Sequence, residues 1–114
     1  AERAITFTNG IVTSVSDEEI LEAKAEIDRV GIGCEPASAA TVAGVRKLVR
    51  EGMLSRETTV AGILTGHVLK DAEAVTRYHL DDVDGAARAG ANRPVTIAAS
   101  MSALEQVLAD ALHG

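Results

Sequence analysis

Tryptophan is absent from this 114-residue chain, and Phe7 and Tyr78 are its only aromatic side chains. A core must therefore be built from Ala, Val, Ile and Leu, whose small size brings elements close together. Cys34 is the single cysteine, which excludes an internal disulfide and any cysteine-pair zinc ribbon and fits a reducing compartment. No apolar run reaches the ~18 residues of a membrane span, and no basic-then-apolar leader is visible, so cytoplasm is the expected compartment. Cations are also scarce. Eleven Lys and Arg face seventeen Asp and Glu, a net charge of -6, and no basic run exceeds Arg46-Lys47. Nucleic acid is excluded as an expected partner, because phosphate binding needs clustered cations and base stacking needs aromatics. Ala1 stands where an initiator Met is usual, and the first residues read like the interior of an element, as in a piece of something longer.

What is present is 46% hydrophobic and 25% charged, the composition of one ordinary globular segment over 1–114. Asn9-Gly10 signals a stop, and Ile11–Val15 is short, β-branched and strand-like. Ser16 and Glu19 match a capping box that opens a helix to about Val30. In that helix Ile20, Ala23, Ile27 and Val30 share one face, while Glu22, Lys24, Glu26 and Arg29 take the others. A second helix is expected from Ala37 to Glu51, with Ala39, Ala40, Ala43 and Gly44 leaving room for another backbone. Thr58–Leu64 reads as a buried strand, Asp71 as the cap of a short helix to Leu80, 81–92 as a polar loop, and Arg93–Ala98 as an edge strand. Ser102 and Glu105 form a second capping box for a last helix. Strands alternating with helices predict an α/β fold, part of a parallel-sheet layer with helical crossovers.

In such layers ligands bind beyond the carboxyl ends of strands, where Thr65-Gly66-His67 follows the best strand pattern of the chain. Thr65 offers a hydroxyl, Gly66 allows close backbone approach, and His67 brings an imidazole. A turn capped by Thr65 with a solvated His67 accounts for the same residues. Glu35, set just before a helix start, is read as a plain N-terminal cap that gains from the helix dipole. Cys34 is read as a core thiol. His79 with Asp81, Asp82 and Asp84 lacks the spacing of a calcium loop or zinc helix, so no metal site is expected. Gly31 and Gly33 complete no dinucleotide fingerprint.

Three ordered blocks carry a more specific signal. Val15–Ala23 (VSDEEILEA), Cys34–Ala40 (CEPASAA) and Leu64–Asp71 (LTGHVLKD) closely resemble the carboxyl-terminal part of threonine synthases, pyridoxal-phosphate enzymes related to the tryptophan synthase β chain. Ala1–Gly10 is similar to the tail of a preceding helix of that family, and the last forty residues resemble it only loosely. The resemblance implies a fold type II pyridoxal-phosphate architecture, a cytoplasmic homo-oligomer, and conversion of O-phosphohomoserine and water to threonine and phosphate. By motif match, Thr65 is the residue that bonds the pyridine nitrogen of the cofactor. Because a hydroxyl is a weaker partner for a pyridinium than a carboxylate, the ring is expected to be less protonated. Glu35, Gly66 and His67 are expected to line the pocket, with no catalytic role carried over to any residue. The Schiff-base lysine and the phosphate-cradling loop of the family lie far upstream and have no counterpart here. Lys24, Lys47 and Lys70 stand in the wrong contexts. The segment is therefore expected to supply one wall of a cofactor site and not to be catalytic alone. Two rivals stand beside this reading: a non-catalytic interaction or regulatory module of the same ancestry, and a segment of a threonine dehydratase-like enzyme. His67 after Thr65-Gly66 leans toward threonine synthase.

Overall fold

The computed structural model describes residues 1–88 and 90–113. Among the described residues there are five helices: α1 (Glu2–Thr8), α2 (Asp17–Arg29), α3 (Pro36–Arg50), α4 (Ala72–Leu80) and α5 (Met101–His113), with a 3-10 turn at Val68–Asp71 leading into α4. Two short strands, β1 (Asp82–Val83) and β2 (Ala86–Ala87), pair antiparallel.

The capping box forms as read. Glu19 N–H donates to Ser16 Oγ at 3.2 Å, and Ser16 N–H donates back to Glu19 Oε2 at 3.0 Å, satisfying two end groups of α2. Three acidic residues in the first turn and Arg29 in the last complement the helix dipole, and Gly31, at φ +82°, ends the helix in the left-handed region. α3 begins with Pro36 at its first position, where a missing N–H costs nothing. α2 and α3 pack on each other around Ile27, Cys34 and Ala39, with Ile20 and Val42 at the margin. The small residues allow this closeness: Ala23 and Ala39 are fully buried.

Several expectations are corrected. Among the described residues helices and a two-stranded antiparallel sheet are seen, as fits an α/β segment, without a parallel layer, and Ile11–Val15, Thr58–Leu64 and Arg93–Ala98 lie in no strand. Their β-branched composition favours extended backbone, but a strand exists only when a neighbour takes its N–H and C=O groups. Both of the first two run along α3 instead. Lys47 Nζ donates to Ser14 C=O at 2.6 Å, and a Cβ built on Gly62 would meet Thr41 Cγ2 at 3.4 Å. The stretch read as buried is exposed, Ile63 at 78%. The 81–92 loop contains the β1–β2 hairpin, because Asp84 and Gly85 both take positive φ (53° and 78°), the combination a type I′ turn demands. α5 starts earlier than its expected box: Ser100, not Ser102, caps it, its Oγ accepting from Ala103 N–H at 3.3 Å. Lys24, placed on a polar face, is 2% exposed and pairs with Asp28 at 2.7 Å.

Candidate functional site

The amino end of α3 and the chain around Thr65 meet edge to edge. Residues 35, 38 and 41 lie one turn apart on a single face of α3 and run opposite to residues 66, 65 and 62 of the extended segment. Glu35 N–H donates to Gly66 C=O at 3.0 Å, and Thr65 N–H donates to Ser38 Oγ at 2.9 Å. Ser38 is buried at 4% exposure and also accepts from Gly66 N–H at 3.4 Å. Gly66 leaves room for the Glu35 side chain, since a Cβ there would stand 2.1 Å from Glu35 Cδ and the carboxylate would have to move aside.

Side chains complete the cluster. Thr65 Oγ1 lies 3.3 Å from Ser38 Oγ and donates to Glu35 Oε1 at 3.3 Å. Glu35 Oε2 pairs with Lys70 Nζ at 2.9 Å, and the Glu35 side chain is only 15% exposed while that of Lys70 is 68% exposed. The Lys70 hydrogen bond holds the Glu35 carboxyl below the usual range, against partial desolvation, with the Lys70 charge and the Thr65 hydroxyl adding to it. The same pairing pushes the Lys70 ammonium up. The cluster thus sets the hydroxyl of Thr65, an exposed residue, beside a carboxylate kept charged.

Of the residues singled out in sequence, Thr65, Gly66 and Glu35 come together. His67 lies next to them but faces its own loop, its Nδ1 accepting from Leu69 N–H at 3.2 Å to cap the 3-10 turn. The reading of Glu35 as a plain cap is corrected: it occupies the N-cap position, yet its side chain makes no capping bond and turns to Thr65 and Lys70. Ser38 was missed. A serine amid Ala37, Ala39 and Ala40 on a tightly packed face was the available signal, because a buried hydroxyl there must find partners. Lys70, set aside as out of context, is the counterion. Cys34 is buried at 1% exposure, and burial pushes its thiol up, as a core cysteine. His79 is also committed elsewhere, its Nδ1 accepting from Asn92 N–H at 3.0 Å. Among the described residues no helix is long and apolar enough to cross a membrane.

No family model matches the chain. Individual proteins do. A threonine synthase of Methanosarcina acetivorans is 55% identical over 73 residues, 63% of this chain and 18% of the relative. That of Methanocaldococcus jannaschii is 37% identical over 106 residues, 92% of this chain and 23% of the relative. Threonine synthase 2, chloroplastic, of Arabidopsis thaliana is 28% identical over 109 residues, 96% of this chain and 21% of the relative. The chain spans about a fifth of the length of these curated relatives. The Methanocaldococcus and Arabidopsis threonine synthases thus match almost the whole chain, which is similar to a segment of these proteins about a fifth of their length.

Proposed function

We propose that this chain is the carboxyl-terminal segment of a threonine synthase and forms one wall of its pyridoxal-phosphate pocket, with Thr65 meeting the ring nitrogen. The parent enzyme converts O-phosphohomoserine and water to threonine and phosphate, in the cytoplasm and as a homo-oligomer. The observation that carries the reading is Thr65, an exposed residue whose hydroxyl is held by Ser38 and Glu35. The donor set suits the nitrogen end of the cofactor and not its phosphate, which the Glu35 carboxylate repels. Pyridoxal phosphate supplies, when bound, an electron sink for breaking bonds next to the substrate amine. This chain's residues orient the ring and set the polarity around its nitrogen.

The three lysines of the segment are engaged in structure: Lys24 with Asp28, Lys47 with the Ser14 carbonyl and Lys70 with Glu35. The reading therefore gives the segment a binding role, with the covalent anchor elsewhere in the complete enzyme. The test is Thr65→Val in that enzyme, which keeps shape and removes one hydrogen bond. Loss of about 0.5–1.5 kcal/mol corresponds to roughly two- to tenfold weaker cofactor binding, read by absorbance titration, with a parallel fall in phosphate release. Unchanged affinity and turnover overturn the role of Thr65.

A further inference from the structure

Two cavities adjoin at the carboxyl end of α2, and no residue of the Thr65 cluster lines either. The larger, about 690 Å³, is mostly apolar, with Val75 of α4 and with Leu104 and Val107, three residues apart on one side of α5. The smaller, about 350 Å³, is lined by Asp28, Arg29, His79 and Asn92 beside Ala25. Both volumes suit a small organic ligand. Asp28, His79 and Asn92 line both cavities, so they stand at the boundary between them. Asp28 is the group there that the fold leaves incomplete. Its Oδ2 accepts from the buried Lys24 ammonium at 2.7 Å, whereas its Oδ1 is buried with no donor among the described residues. Buried polar atoms ordinarily have a partner. Donors stand beside it. Arg29 makes no ion pair among the described residues. His79 accepts at Nδ1 from Asn92 N–H at 3.0 Å, so its neutral ring carries the proton on Nε2 and is a donor there.

We propose that the two cavities together bind an aliphatic α-amino acid: its ammonium supplies the donor that Asp28 Oδ1 lacks, its carboxylate takes Arg29 and the His79 Nε2–H, and its side chain lies against Val75, Leu104 and Val107. The charged groups of such a ligand are one carbon apart, which suits an acceptor and a donor that are neighbours in the chain. An amine alone leaves the guanidinium unmatched, and a carboxylic acid alone brings its charge up to Asp28, so neither replaces the zwitterion. The site stands apart from the cofactor-wall reading, since the two share no residue.

The experiment is equilibrium dialysis of radiolabelled L-leucine against the complete enzyme. Saturable binding is expected, with isocaproate and isoamylamine, which lack the ammonium and the carboxylate, each weaker by roughly tenfold or more. Val107→Trp fills the apolar cleft and is expected to weaken leucine binding to a similar degree, while cofactor absorbance, which reads the Thr65 wall, stays at the parent level. Asp28→Asn keeps shape and removes the charge, with a similar loss expected; each variant serves if the other does not fold. Absence of saturable leucine binding by the parent enzyme, equal affinity for isocaproate, or an affinity that neither variant changes overturns the inference and leaves the cofactor wall standing. Absence of cofactor binding by the parent overturns the wall and leaves the amino-acid site to be decided by the dialysis.

Discussion

Ser38 shows how a single buried hydroxyl can hold two segments together. Its oxygen satisfies two backbone N–H groups of a stretch that has no strand partner among the described residues, so Ser38→Ala leaves both donors of Thr65 and Gly66 short of an acceptor. The expected cost is about 1–3 kcal/mol, and amide exchange at these two positions should accelerate more than in the interior of α3. Glu35 and Lys70 make a pH-dependent contribution of definite sign. The Glu35 carboxyl is lowered from 4.5, so its share of stability is complete above that value and is lost as pH falls through the lower folded value. Lys70 is raised from 10.5, so its share is complete below that value and is lost as pH rises through the higher folded one. Lys70→Met should bring the Glu35 midpoint back up toward its ordinary range, a change that a carbon-detected titration of the side chain reads directly. Thr65 was legible because its surroundings in sequence are distinctive. Ser38 and Lys70 were not, because their roles come from the fold bringing residues 27 and 35 positions apart into contact.

Among the elements, α2 was the most legible, and its end illustrates why. Ser16 and Glu19 need only each other's backbone to form the box, so four residues of sequence specify the helix start. Ser16→Ala should destabilise α2 by about 1 kcal/mol, seen as a loss of helical circular dichroism at lower temperature. The backbone bond from Ser16, followed by the Arg50 guanidinium at 2.8 Å, holds the Glu19 carboxyl below its usual range. The amino end of α2 is therefore expected to fray only at pH values below that range, as the lowered folded pKa is crossed. Thr58–Leu64 represents the opposite case. Its composition dictates an extended backbone, but burial and strand pairing depend on neighbours that local pattern does not contain. The same limit separates the Asp84-Gly85 turn, whose chemistry is local, from the two-residue strands it joins. Gly66 is where the extended segment and α3 depend on each other: Gly66→Ala places a methyl against Glu35. The Glu35 side chain is expected to swing aside to make room, opening its bonds to Thr65 and Lys70, which a crystal structure of the variant reads.

For the molecule as a whole, shape and surface point the same way. The radius of gyration is 17.5 Å, against about 13 Å for a compact domain of this length, and the extents are 56 × 30 × 26 Å. The core gathers at α2 and α3, while α5 has no buried residue and leaves Leu108 and Leu112 at 54% and 83% exposure. Ile63 and Val60, on the extended segment, are exposed as well. An apolar helix face and an unpaired extended stretch are both surfaces that soluble monomers usually cover. Charge opposes association only weakly, because a net -6 on a chain this size is screened over about 8 Å at physiological salt. The isolated chain is therefore expected to self-associate at micromolar concentration, with sedimentation showing species above 11.8 kDa whose share grows with concentration and with salt. Replacing Leu108 and Leu112 together by Lys should shift that distribution toward monomer if α5 is the contacting face, whereas Ile63→Lys should do so if the extended stretch is. A single sharp monomer boundary for the parent chain would show instead that the exposed stretches fold back on α2 and α3 in solution.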